Sequence, residues 1–153
     1  MLVSAKGRYA LRMMTYIARA NASGQNVALR HMSESEGISL KYAEQLARNL
    51  VEGGLLTSVR GRDGGYKLAR NAADISAGDV LRCAEGQLAR VVDCSAFEGK
   101  CPREDICSTA DFWKGLDTAV SNYVDNISIA QLISGKNCSG MFGACPSASL
   151  DGK

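Results

Sequence analysis

The sequence holds a single histidine, His31, and no phosphate-loop pattern. Neither a Ser/His/Asp set nor a Cys/His set can be placed on it, so an enzyme is the reading it supports least. It also lacks any run of about 18 apolar residues, which argues against a membrane span. The opening "MLVSAKGRYALRMM" has no continuous apolar core and no cleavage-like site, which argues against a signal peptide and for a cytoplasmic chain. A last shortage concerns the cysteines: none of the six stands in a tight C-x2–4-C knuckle of the zinc type.

What is present is an ordinary globular composition, 153 residues with 46% hydrophobic and 22% charged, enough for one domain with an appended element. In a reducing compartment, six cysteines point to metal or redox chemistry before structural disulfides. The net charge is only +2, but it is unevenly spread. Residues 1–75 hold 11 Lys/Arg against 6 Asp/Glu, and the remainder 7 against 10. A basic front half joined to a mildly acidic back half fits a nucleic-acid-binding module attached to something else, though uneven surface charge without meaning stays open at this point.

From Ser4 to Ala22, Tyr9, Ala10, Met13, Met14, Ile17 and Ala18 recur at helical spacing. "NASGQN" breaks the pattern, and a weaker helix over residues 28–36 stops at Gly37. In "ISLKYAEQLARNLVEGG", Ala43, Leu46, Ala47, Leu50 and Val51 form the buried stripe of an amphipathic helix. Ser39 is its N-cap, and Gly53-Gly54 ends it where a left-handed residue is needed. The opposite face carries Lys41, Tyr42, Gln45, Arg48 and Asn49, side chains able to reach phosphates and base edges. Two strands are expected next, residues 55–60 and 66–69, joined by a Gly-rich turn with Arg60 and Arg62 at its tip. This order predicts a mainly α fold: a winged helix-turn-helix DNA-binding domain with a small two-stranded wing.

Ser76 opens a further helix with Asp79 completing a capping box, and Cys83 is spaced with Val80 and Ala84 as a core residue. After the cysteine segment a long helix is expected over residues 109–126. Its apolar positions Phe112, Trp113, Leu116, Ala119, Val120, Tyr123, Val124 and Ile127 make a stripe wider than one small domain needs. That predicts a dimerisation helix packed on a second copy; packing across its own N-terminal domain is the alternative. Ser128 caps a last short helix, "IAQLIS". The expected division is therefore residues 1–75 for DNA binding, 76–135 for the cysteine segment and dimerisation helices, and 136–153 for a Gly/Ser-rich flexible tail.

Cys94, Cys101 and Cys107 are spaced C-x6-C-x5-C in a loop-like stretch, "CSAFEGKCPREDIC". Three thiols are too many for one disulfide and suit a metal centre. Loops of this length let thiolates reach around an object larger than zinc, such as an iron–sulfur cluster; zinc and thiol redox chemistry remain open on spacing alone. Asp111, one helical turn beyond Cys107, is a candidate fourth ligand. Glu104 and Asp105 read as solvated loop residues, His31 as a helix-surface residue, and Cys138 and Cys145 have no assigned role.

"SAKGRYALRMM", "GISLKYAEQL", "LLTSVRGRDGGYKLAR", the three cysteines and "NISIAQLI" together resemble the winged-helix transcription regulators of the IscR/NsrR/CymR type, closest to their iron–sulfur cluster branch. The likeness covers about residues 1–135. It implies a homodimer bound to an imperfect palindrome in double-stranded DNA, probed by Tyr42, Glu44 and Gln45 of the recognition helix and Arg60 of the wing. Ser39, Lys41 and Arg62 complete the candidate DNA-binding set. It implies further that Cys94, Cys101 and Cys107 ligate a cluster, 2Fe-2S before 4Fe-4S, in a repressor of cluster-biogenesis or stress genes. A zinc- or thiol-switched regulator, and a CymR-like adaptor for a cysteine-biosynthetic enzyme, are the alternatives. Three positions depart from the pattern: Lys41 replaces a serine, Ala110 stands where the fourth-ligand histidine would be, and Arg8 where sibling sensors supply an acidic ligand. Glu44 could also pair with Arg48 one turn on.

Overall fold

In the computed structural model, which describes residues 4–86, 101, 103 and 106–135, the order of elements is that of a winged helix. Helices α1 (Ala5–Ala22), α2 (Leu29–Glu36) and α3 (Leu40–Glu52) precede strands β1 (Leu56–Val59) and β2 (Gly65–Leu68). A 3-10 turn at Ala72–Asp74 leads into α4 (Ala77–Glu85), and α5 (Ala110–Asp125) and α6 (Ile129–Ser134) complete the described chain. Starts are set by side-chain caps. The hydroxyls of Ser4, Ser39, Ser76 and Ser128 accept from the N–H groups of Lys6, Tyr42, Asp79 and Gln131, satisfying donors that a helix leaves open. The Ser76/Asp79 capping box forms as expected, and a second joins Ser128 to Gln131.

One apolar core unites these elements. Ala10, Met13, Met14 and Ile17 of α1 meet Met32 of α2, Leu46 and Leu50 of α3, Leu56 of β1, Val80 of α4 and Ile129 of α6. A fully buried Leu or Met contributes on the order of 1.5–3 kcal/mol, so this cluster dominates the stability. The chain after α5 returns to it: the Ala77 N–H donates to the Ile127 carbonyl at 2.7 Å, and the Ile129 N–H to the Ile75 carbonyl at 2.9 Å.

The strands are shorter and slightly shifted from expectation. They pair antiparallel from Leu56 opposite Leu68 to Val59 opposite Gly65; Leu55 packs in the core and Arg60 has left the ladder. Val27, expected in no strand, bridges to Tyr66, with mutual backbone hydrogen bonds of 3.0 and 2.8 Å. Gly65 is required there: its φ is 149°, and a Cβ would run into the Val27 carbonyl. The α3 terminus uses Gly54, at φ 67°, as its left-handed residue. Cys83 and Val51, expected in the core, are only half-buried at its edge; the Cys83 thiol lies at the helix C-terminus of α3 and donates to the Asn49 carbonyl at 2.9 Å. The long helix has the expected extent to within its caps, yet none of its residues is buried. The expected tail, residues 136–153, lies outside the described residues, as does Cys94.

Candidate nucleic-acid interface and cysteine segment

The turn between α2 and α3 is made by Gly37, left-handed at φ 65°, which lets the chain reverse without a Cβ penalty. The Ile38 N–H then donates to the Ser33 carbonyl at 3.0 Å, and Ser39 starts α3. Because Ala43, Leu46, Ala47 and Leu50 face the core, the opposite side of α3 turns Lys41, Glu44, Gln45 and Arg48 to solvent. Glu44 and Arg48 form no ion pair of the expected kind among the described residues. Tyr42 is half-buried at the boundary. Arg60 and Arg62 are exposed on the wing tip, whose turn is closed by the Gly64 N–H donating to the Gly61 carbonyl at 3.0 Å and pinned by the Asn26 amide donating to the Asp63 carbonyl at 2.9 Å. An exposed polar helix face beside a basic hairpin is suited to the major groove and an adjacent backbone.

Behind this face, three sets of contacts escaped the sequence reading. The Tyr9 ring meets the Tyr42 ring edge-on, 5.9 Å between centroids at 88°. The Arg12 guanidinium lies 5.5 Å over the Tyr9 ring and pairs with Glu36, the last residue of α2. Third, Oε1 of Glu85, the last residue of α4, accepts from Ser4 N–H at 3.1 Å, Ser4 Oγ–H at 2.6 Å and Gly7 N–H at 2.9 Å. A carboxylate at a helix N-terminus is favourable, and this one fastens α4 to α1. The i, i+3 spacing of Tyr9 and Arg12 was the only sequence signal for any of these; Glu85 lies 81 residues from Ser4.

Beyond Gly86 the cysteine segment spans the gap to α5. Of its thiols, Cys101 is half-buried and Cys107 exposed. The Thr109 hydroxyl lies 3.4 Å from the Cys107 sulfur. That hydroxyl and the Thr109 backbone N–H, with smaller help from the Ala110 N–H and the Arg103 charge, hold the Cys107 thiol below its usual range. A thiol biased toward thiolate is what a metal ligand or a redox group requires. By contrast burial pushes the Cys83 thiol up, which biases it away from the thiolate. Asp111 is exposed on the first turn of α5, and His31 is exposed on α2. Among the described residues, no three His, Cys, Asp or Glu side chains converge as a metal-holding group.

The far end of α5 is bolted to the core. Arg82 pairs with Asp125 at 2.8 Å and with Asp79 at 3.2 Å, and Gly78 leaves the room that the Asp125 carboxylate occupies. A helix of 16 residues runs about 24 Å, so Cys107 stands at the opposite end from this anchor.

A capped helix-turn-helix with an exposed polar recognition face and a basic wing defines a DNA-binding transcription regulator, not an enzyme. Residues 3–135 match Rrf2, described as an iron-dependent transcriptional regulator, and the chain belongs to that family. It is similar to the HTH-type transcriptional regulator IscR of Serratia proteamaculans, 37% identical over 139 residues that cover 90% of this chain and 82% of that one. The Escherichia coli IscR is 36% identical over 135 residues, 87% and 80% of the two chains. Among solved structures, CymR, the global cysteine regulator of B. subtilis, superposes with a TM-score of 0.72 at 30% identity, covering 88% of this chain and 98% of that one. IscR of T. potens does so with 0.69 at 28% identity, covering 94% of each. No described helix is long and apolar enough to cross a membrane.

Proposed function

We propose that this chain is a cytoplasmic, homodimeric repressor that senses an iron–sulfur cluster and binds an imperfect palindrome in double-stranded DNA. The observation that carries this reading is that one family match, over residues 3–135, takes in both the helix-turn-helix and all three segment cysteines. Residues 1–75 meet DNA through Ser39, Lys41, Tyr42, Glu44, Gln45, Arg60 and Arg62. Residues 76–135 hold the cluster segment and the dimerisation helices, and 136–153 are an appended tail. Cys94, Cys101 and Cys107 are the thiolate ligands of the cluster, 2Fe-2S before 4Fe-4S, with Asp111 as fourth. The lowered Cys107 thiol fits a thiolate-ligated group. Such a cluster, when bound, supplies an iron centre that exchanges ligands and electrons with small molecules. With Ala110 in place of a histidine and the neighbouring Asp111 carboxylate as fourth ligand, that centre is open to exchange, as a sensor of cluster supply or stress requires.

The chain supplies the route from segment to DNA. The segment is strung between α4 and α5. A change in how its thiolates are held moves the end of α4, where Glu85 holds the first turn of α1, and α1 packs on the recognition helix. This is a local event with a distant readout.

Anaerobic purification, with a visible spectrum and iron, sulfide and zinc assayed per chain, tests the reading. Matched iron and sulfide, lost in air and absent from Cys101→Ala, supports it. Zinc without sulfide moves the sensor to a zinc or thiol switch. The structural likeness to CymR, with Ala110 and Arg8 at the family's ligand positions, favours as second reading a cysteine-metabolism adaptor that binds a biosynthetic enzyme. A metal-free chain that captures such an enzyme and ignores DNA would decide for it.

A further inference from the structure

Lys41, Glu44 and Gln45 project from α3 into solvent, whereas Tyr42 is half-buried and leans on another residue. Its backbone N–H is fixed by the Ser39 hydroxyl at 3.2 Å, and its ring meets the Tyr9 ring in an edge-to-face contact at 5.9 Å. Tyr9 is fixed in turn, because the Arg12 guanidinium lies over its ring at 5.5 Å. Arg12 is itself held by Glu36. The Glu36 side chain is only 15% exposed, and its Oε2 is sealed from solvent with no hydrogen bond of good geometry. The Arg12 charge, on a side chain that is itself 54% exposed, is what faces this buried oxygen. Glu36 also stands at the last position of α2, immediately before Gly37. The chain of contacts therefore ties the turn of the helix-turn-helix, through α1, to the first turn of the recognition helix.

We propose that Tyr9, Arg12 and Glu36 are positioning residues for operator readout. They set where Tyr42 and the first turn of α3 stand relative to α1, and so determine sequence discrimination without contacting a base. This rests on the reading that α3 faces DNA through Tyr42.

Glu36→Gln tests it because two accounts predict opposite signs. If Glu36 were only a negative charge near the DNA-binding face, its neutral isostere would strengthen binding to every duplex. As a positioning residue, its loss releases Arg12 and weakens binding to the preferred duplex alone. The probes are a duplex selected from a random library by the anaerobically purified full chain, and a scrambled duplex of the same composition. For Glu36→Gln and Tyr9→Leu the ratio of affinities, selected over scrambled, should fall about tenfold, in line with the loss of one specific side-chain contact. Tyr9→Phe keeps the ring and should keep the wild-type ratio. Thermal melts identify variants that no longer fold, and Tyr9→Leu against Tyr9→Phe then stands as the deciding pair.

A ratio within about twofold of wild type in both disruptive variants would overturn the proposal, since one lost contact is worth more than that. So would a parallel loss on both duplexes. Tyr42→Leu separates the layers. If it collapses the ratio while Glu36→Gln and Tyr9→Leu do not, the positioning role alone falls. If Tyr42→Leu leaves the ratio unchanged, the Tyr42 readout falls and the positioning role with it.

Discussion

The helices α1 and α3 and the helix α5 carry apolar stripes of similar regularity, and they meet different fates. In α1 and α3 the stripe is buried, with Met13, Met14, Ile17, Ala47 and Leu50 fully enclosed. In α5 no residue is buried, and Phe112 and Tyr123 remain 63% and 46% exposed. Helical periodicity therefore reports that a face is to be covered, and it does not say by what. The chain's own elements cover the first two stripes. The third stays uncovered by the described residues, and under the proposed homodimer a second copy of this chain would cover it.

The comparison is broken most severely at the core. Leu50→Ala should cost about 2–5 kcal/mol of unfolding free energy, read from denaturant midpoints at constant slope. An equivalent truncation at Phe112 should leave the monomer's fold intact. Its effect belongs in association: Phe112→Glu should weaken the dimer by about thirtyfold or more, as for a central aromatic anchor. Sedimentation across a dilution series checks it, and an unchanged dimer would return the α5 stripe to packing on its own domain.

Much of the DNA-binding half was legible because its signals are local. The α3 stripe, the Ser39 cap, the Ser76/Asp79 box and the Gly37 stop each lie within a few residues of the structure they specify. What could not be read joins residues far apart in sequence: Glu85 with Ser4, Arg82 with Asp125, Val27 with Tyr66. Nothing in spacing announces a pair that only the fold brings together. The shortfalls have the same origin. Cys83 has the spacing of a core residue, but the end of α3 with Gly53 leaves it at the rim, where its thiol finds the Asn49 carbonyl. Of the candidate ligands, Cys107 lies just before α5 and Asp111 on its first turn, both exposed, while Cys94 lies outside the described residues.

The same contrast between covered and uncovered surface separates the thiols. Cys107 is exposed and biased toward thiolate by Thr109, and Cys83 is half-buried and biased against it. With metal removed, iodoacetamide should label Cys107 at least about tenfold faster than Cys83 near neutral pH, because the thiolate is the nucleophile. Peptide mapping of a timed reaction measures both. Thr109→Val should slow Cys107 alone, and equal rates at the two sites would remove the electrostatic distinction between them.

The smallest effect falls at the joint between the two regions. Burial alone would raise the Asp79 carboxyl. The Ser76 N–H and hydroxyl and the Arg82 guanidinium outweigh it and hold the group below its ordinary value of 3.8. A depressed folded-state value stabilises the fold while the group is ionised, above the unfolded value. That contribution is lost as pH falls through the lower folded value. The acid window therefore opens below 3.8, where Asp79 also releases Arg82, which bridges to Asp125 at the end of α5. Because these side chains are 35–42% exposed, solvent screening keeps the stability term below about 1 kcal/mol. Wild type should lose slightly more stability than Asp79→Asn between about pH 6 and about pH 3, in denaturant midpoints compared at one salt concentration. Parallel acid profiles would mean that the α5 anchor stands without Asp79, held by the Arg82–Asp125 pair and the backbone bonds of Ala77 and Ile129.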